Sequence, residues 1–178
     1  MSTPEDWQLI ESATEYETGW YDGGYDRLEQ PDGTEKRYYW AELPDAVVIV
    51  ARLEDEVLFV EQYRPTIRET HLELPAGIVE DGESYTTAAA RELEEETGFA
   101  PSSLAVLQEY AVATGVLRHD RAVVYAEGLE LGERELDSNE FLEVRTVLID
   151  EALAVAREPP ANDSTLSALL LAREDGLL

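Results

Sequence analysis

Glu92, Glu95 and Glu96 stand three and four residues apart, with Arg91 at their head and Gly98 just beyond them. On an α-helix such residues share one face, with Cβ atoms about 5–6 Å apart, so the three carboxylates converge and repel. Arg91 can pair with Glu95 at i,i+4, yet one guanidinium does not neutralise three carboxylates. A hard divalent cation would: Mg²⁺ takes oxygen ligands and is usually held by one or two carboxylates together with substrate phosphates. A cation bridging these carboxylates to phosphate oxygens would polarise phosphorus and activate water, so the chemistry to expect is attack of water on a diphosphate. The competing reading is plain surface charge, because the chain carries 40 acidic against 13 basic residues.

The resulting net charge of −27 over 178 residues repels phosphate backbones and anionic bilayers, which argues against nucleic acid and membrane as partners. Only Lys36 is lysine, so arginine supplies nearly all the positive charge. An acidic surface almost devoid of lysine suits a salty cytosol, where a Debye length of roughly 3 Å at 1 M screens self-repulsion. The absence of cysteine removes disulfides and thiolate metal sites and agrees with a reducing compartment. No N-terminal apolar segment of signal-peptide type and no apolar run of about 18 residues occurs, so the expectation is a soluble, cytoplasmic protein with one main domain.

Several elements must position the glutamates. From Trp7 to Trp40 short aromatic runs punctuated by Pro31-Asp32-Gly33 predict two or three strands. β-Branched runs at Ala46–Arg52 and Glu56–Tyr63 predict a hairpin, and a short segment at His71–Leu74 leads into the turn Pro75-Ala76-Gly77. The helix that carries the carboxylates is expected over Ser84–Glu96, buries Ala88, Ala89 and Leu93, and ends at Gly98 in a left-handed conformation. Gly77 is read as the residue that lets the backbone turn sharply before that helix. Strands return at Leu104–Ala113, Arg121–Ala126 and Glu143–Ile149, with an acidic loop before the last. Two helices close the chain, Asp150–Arg157 and one capped near Asn162 that turns Leu166, Leu169 and Leu170 inward. Strands that flank a central helix predict an α/β (α+β) sandwich.

The stretch from Gly77 to Phe99 resembles the Nudix box. Gly77, Glu83, Arg91, Glu92, Leu93, Glu95, Glu96, Gly98 and Phe99 fill every required place. Even in so acidic a composition, such a match arises by accident roughly once in 10⁴ chains, which sets the surface-charge reading aside. The resemblance implies a Nudix hydrolase that cleaves a nucleoside diphosphate linked to another group, with Mg²⁺ or Mn²⁺, on an α/β/α sandwich. It implies that Glu92 and Glu96 ligate metal, that Glu95 is a ligand or supports one, and that the Ala76 carbonyl is a further ligand. Glu83 and Arg91 tie loop to helix or take part in catalysis.

"EQYRP" at Glu61–Pro65 and "LELPAG" at Leu72–Gly77 are similar to the ADP-ribose pyrophosphatase branch. That similarity implies an extra N-terminal antiparallel β layer over 1–42, serving as a dimerisation element, ahead of a Nudix domain over 43–178, in a homodimer. Arg64 would then contact phosphate or ribose, Glu73 would bind a sugar or hold the loop, and Trp20, Tyr21 or Trp40 would stack on adenine. The sequence departs from the branch at "ATGVLRHDRAVVYA", which lacks the usual proline and loop glutamate. Asp120 or His119 would serve as the base there, or Glu92 in their place. The small-molecule substrate is expected to be ADP-ribose, hydrolysed to AMP and ribose 5-phosphate. The alternatives are another nucleotide sugar or dinucleotide, or a regulatory module that binds ADP-ribose without turnover.

The charge balance generates the first prediction. The melting temperature rises steeply from low to molar KCl, as screening relieves self-repulsion. A melting temperature indifferent to salt, followed by circular dichroism, contradicts the salt-adapted reading.

Overall fold

A computed structural model describes Thr3, residues 6–132, Arg134 and residues 141–178. The part of the expected acidic loop at 133 and 135–140 lies outside the described residues. The chain forms two compact units. The first runs up to Asp45 and takes in Ala111–Asp120; the second comprises Ala46–Tyr110 and Arg121–Leu178.

In the first unit β1 (Gln8–Glu17), β2 (Asp22–Glu29) and β3 (Glu35–Glu42) form an antiparallel meander, and the short β9 (Leu117–Arg118) adds in parallel to β3. The β2–β3 turn is the one expected at Pro31-Asp32-Gly33. Gly33 adopts φ 80° and the Asp32 carboxylate accepts the Thr34 N–H at 3.0 Å. Asp26 fastens this sheet. Its carboxylate accepts from Ser12 Oγ at 2.7 Å, Trp40 Nε1 at 3.1 Å and the Arg118 guanidinium, which lies 4.0 Å from the centre of the Trp40 ring. Burial pushes the Asp26 pKa up, but the hydrogen bonds from Ser12, Trp40 and Arg118 outweigh it and hold the carboxyl below its usual range.

The second unit is an α/β/α sandwich. β4 (Ala46–Leu53) and β5 (Glu56–Arg64) form the expected hairpin, turning at Glu54 with φ 55°. β6 (Glu69–Glu73) pairs with β5, β7 (Ala76–Ile78) with β4, and β10 (Asp120–Leu131) lies parallel to β4 with Val123 opposite Val48. β8 (Phe99–Ala111) and β11 (Leu142–Leu148) complete a seven-stranded sheet of order β11-β5-β4-β10-β8.

Strand alternation explains the layers, since successive side chains point to opposite faces. Val47, Ile49 and Ala51, with Leu58, Ala122, Val124 and Ala126, pack on Ala88, Ala89 and Leu93 of α1 (Tyr85–Thr97). Val48, Val50, Val57, Phe59, Val123 and Tyr125 face the other way, onto Ala152 and Ala156 of α2 (Ile149–Ala156) and Ala168, Leu169 and Ala172 of α3 (Asp163–Glu174). The near-continuous apolar runs of β4 and β10 are therefore strands covered on both faces.

One expectation is corrected. Leu170 is not turned inward but is 52% exposed, whereas Leu169 is 1% exposed. Adjacent helical residues lie about 100° apart, and the buried row Thr165, Ala168, Leu169, Ala172 follows i, i+3, i+4, i+7, which leaves Leu170 outside it. Among the described residues no helix is long and apolar enough to cross a membrane.

This register is directly testable. Leu169→Ala is expected to cost about 2–5 kcal/mol of unfolding free energy. Leu170→Ala stays within about 0.5 kcal/mol. Denaturant titration of both variants checks the pair, and equal losses contradict the register.

Candidate active site

The site is built on α1. Ser84 caps its N-terminus, with Oγ accepting the Thr87 N–H at 3.1 Å, and Gly98 ends it at φ 78° with its N–H on the Glu94 carbonyl. The cap and the stop set the ends of the helix, and its packing on the sheet sets its phase. That phase buries Ala88, Ala89 and Leu93 in the core and also buries Glu92 and Glu96, which are 7% and 3% exposed.

Buried carboxylates need partners, and β7 together with Arg91 supplies them. Glu96 Oε2 accepts the Ala76 N–H at 3.1 Å. Glu92 lies against Gly77 so closely that a Cβ on residue 77 would collide with its carboxylate. This changes the reason for the glycine: Gly77 does not occupy positive φ but leaves room for Glu92, fifteen residues later.

Arg91 directs all five of its N–H groups into the protein. Nε and Nη2 grip the two oxygens of Glu83 at 3.1 and 3.0 Å, and Nη2 also reaches the Ile78 carbonyl at 3.0 Å. Nη1 donates to Glu92 Oε1 at 2.8 Å and Glu95 Oε2 at 3.1 Å. One guanidinium thus joins the loop, β7 and the acidic face of α1. The Glu83 hydrogen bonds, with help from Glu92 and against the opposing effect of burial, drive the Arg91 pKa well above the ordinary arginine value. The Glu83 carboxyl is held below its ordinary value by Arg91 first and by the Glu80 N–H second, against a smaller effect of burial.

Glu83, Glu92 and Glu95 meet this single cation, and with Glu96 on the Ala76 N–H the four carboxylates carry a formal excess of three negative charges over Arg91. All donors are hard oxygens, and Glu95 is 40% exposed. Donor type and charge fit a hard divalent cation that keeps places for water and phosphate. The fit is not a ready-made cage, since no three Asp, Glu or His side chains among the described residues stand together as a metal site.

Arg64 and Glu73 meet. Arg64 Nε donates to Glu73 Oε2 at 2.9 Å and Nη2 to the same oxygen, with Arg64 43% exposed and Glu73 nearly buried. Gln62 and Asn162 also donate to Glu73, at 3.2 and 3.1 Å.

The remaining expected residues lie in the first unit. His119 Nδ1 is 2.7 Å from the Pro44 carbonyl, so Nδ1 carries the proton, and the Asp120 N–H donates to Asp45 Oδ1 at 3.1 Å. Trp20 is 62% exposed. Trp40 is occupied by Asp26 and Arg118, and Tyr21 packs edge-on against Tyr16 at 5.8 Å.

Arg134 is a support that carried no local sequence signal. Its Nε donates to the Glu96 carbonyl at 2.7 Å and Nη2 to the Leu142 carbonyl at 2.9 Å. A cation there satisfies an open carbonyl and complements the negative end of α1.

A profile of the NUDIX domain matches residues 42–169, so the chain belongs to the Nudix family and is a Nudix hydrolase. Within the family its likeness is to the ADP-ribose pyrophosphatase branch. It is 33% identical to the ADP-ribose pyrophosphatase of Bacillus subtilis, over 77% of this chain and 76% of that protein. It is 34% identical to the methanol dehydrogenase activator of Bacillus methanolicus, over 78% of this chain and 77% of that one. The crystal structure of an ADP compounds hydrolase superposes with a TM-score of 0.89 at 24% identity, covering 100% of both chains, and so shares the fold.

The Glu83–Arg91 grip gives a pH prediction. The folded Glu83 pKa lies below its ordinary value of 4.5, so the stability it contributes is complete above that value and is lost as pH falls through the folded pKa. Glu83→Gln is therefore less stable than the wild type at pH 7, and the gap closes below about pH 4. Urea titrations at both pH values check this, and a gap that widens in acid contradicts the ion pair.

Proposed function

We propose that this Nudix hydrolase cleaves the diphosphate of ADP-ribose to AMP and ribose 5-phosphate, with Mg²⁺ or Mn²⁺ as its cation. The observation that carries the reading is the excess negative charge of the carboxylates around Arg91, a surface that does not hold a diphosphate without a cation. ADP-ribose as the substrate is supported by the similarity to the Bacillus subtilis pyrophosphatase across three quarters of both chains.

Glu92 and Glu96 would hold the cation, with Glu95 at the exposed edge and the Ala76 carbonyl as a further oxygen. When bound, it polarises the diphosphate and lowers the pKa of its water. Arg91 keeps Glu92 and Glu95 in register from within the protein. Arg64 takes phosphate or ribose oxygens, with Glu73 holding its guanidinium. We assign the proton of the attacking water to Asp120 or His119. His119 suits the role because its Nδ1–H is fixed on Pro44, which leaves Nε2 of the neutral ring as an acceptor. Trp20 is assigned to stacking on adenine, supported by its exposure. The exposed Leu9, Ile10, Tyr16 and Tyr39 support a homodimer formed through the β layer of residues 1–42.

Incubation with ADP-ribose and Mg²⁺ is expected to release AMP and ribose 5-phosphate, while Glu96→Gln loses both turnover and Mg²⁺ affinity. Untouched ADP-ribose alongside turnover of another diphosphate overturns the substrate, and a wild-type Mg²⁺ titration in Glu96→Gln overturns that ligand. Loss of the base costs about 10²- to 10⁴-fold in kcat, so Asp120→Asn and His119→Ala both within about threefold of wild type pass the role to Glu92 or Glu95.

A further inference from the structure

We propose that Asn162 is a positioning residue for Arg64, acting through Glu73. The proposal rests on the reading that Arg64 binds the substrate. Asn162 sits 89 positions from Glu73 in sequence and is also the N-cap of α3.

The amide of Asn162 has its two ends assigned by its neighbours. Oδ1 accepts the Thr165 N–H and the Ser164 hydroxyl, each at 2.8 Å, so Nδ2 is the end that faces Glu73 Oε1 at 3.1 Å. The alternative flip would set an NH₂ against the Thr165 N–H. Thr165 Oγ1 accepts the Leu74 N–H at 3.1 Å in the interior, so the start of α3 is fastened to consecutive residues of the β6 end.

The two oxygens of Glu73 then do different work. Oε2 takes Arg64 Nε and Nη2 and Gln62 Nε2. Oε1 takes Asn162 Nδ2, its one hydrogen-bond donor among the described residues. His71 does not replace it. Its Nε2 is 3.2 Å from Glu69, while Nδ1, 4.0 Å from Glu73 Oε1, has no hydrogen-bond partner. Asn162 therefore fixes the rotation of a nearly buried carboxylate, and the carboxylate fixes the Nε–Nη2 edge of Arg64. Nη1 of Arg64 meets no acceptor among the described residues, and the side chain is 43% exposed. The guanidinium is held by one edge and offers the other to an anionic or hydroxyl-bearing ligand. Freed of Asn162, Glu73 gains a rotamer and Arg64 loses its fixed aim, which costs binding of the oriented substrate.

The test uses Asn162→Asp, which keeps size and helix cap but replaces the donor facing Glu73 with a carboxylate; Asn162→Ser, also a good cap, serves if the first variant folds poorly. KM and kcat are measured for whichever diphosphate the wild type hydrolyses, alone and in an Arg64→Ala background. Failure of ADP-ribose as substrate thus leaves this test intact. A hydrogen bond to a charged group is worth about 1.5–3 kcal/mol, so KM is expected to rise roughly 10- to 100-fold with a smaller change in kcat. In the Arg64→Ala background the same change should add less than about twofold, because the pathway it acts through is gone. In ¹⁵N-arginine-labelled protein, the Arg64 Nε–H signal should exchange faster with solvent in the variant. An equal KM increase with and without Arg64, a wild-type KM, or an unchanged Arg64 Nε–H exchange rate each overturns the proposal.

Discussion

The site depends on one five-pronged interaction, the Arg91 guanidinium bound to Glu83, Glu92, Glu95 and the Ile78 carbonyl. Without a planar fork at that point, three carboxylates on one helical face would repel one another and splay toward solvent. With it, the loop before α1, strand β7 and the helix share a single cation. The partial exposure of the group matters as well. The guanidinium is 25% exposed and Glu95 40%, so Glu95 contributes little to stability through its own pairing while remaining accessible to a ligand.

The sandwich makes this arrangement possible. Central strands covered on both faces give α1 a flat apolar bed of Val47, Ile49, Ala51 and Val124, and the bed fixes the helix rotation through Ala88, Ala89 and Leu93. Once those three are buried, the 3.6-residue period turns Glu92 and Glu96 toward β7. There the missing Cβ of Gly77 and the Ala76 N–H receive them. Chemistry and core are therefore coupled through one helix, so that a packing change beneath Leu93 is felt at the carboxylates.

Much of this was legible in the sequence because its causes are local. A helix beginning near Ser84, Gly98 as its stop and the spacing of Glu92, Glu95 and Glu96 need only helix geometry, and the hairpin from Ala46 needs only β-branched runs around a polar turn. What was not legible has distant causes. The Gly77 requirement comes from a side chain across a strand–helix contact rather than from a turn. Arg134 is 38 residues from the carbonyl it caps, and Asn162 is 89 from the carboxylate it orients. Leu166, Leu169 and Leu170 share one helical face by spacing, but the face that is buried runs along Thr165, Ala168, Leu169 and Ala172 and leaves Leu170 outside, with Thr165 Oγ1 accepting the distant Leu74 N–H. Trp40 read as a stacking platform by type, but the pairing of β2 with β3 sets it beside Asp26, and Arg118 covers its ring.

The central claim is that Arg91 organises the carboxylates through the geometry of its fork and not merely through its charge. Arg91→Lys keeps the charge and removes the bidentate grip. The decisive measurement is kcat/KM of this variant as a function of Mg²⁺, on the diphosphate that the wild type hydrolyses, with folding followed by circular dichroism. The account predicts a folded protein whose kcat/KM falls by about 10²-fold or more at saturating Mg²⁺, since at least two charge-assisted hydrogen bonds of roughly 1.5–3 kcal/mol each are lost. A folded Arg91→Lys protein within about threefold of wild type across the Mg²⁺ titration, short of the loss of even one such bond, would contradict it.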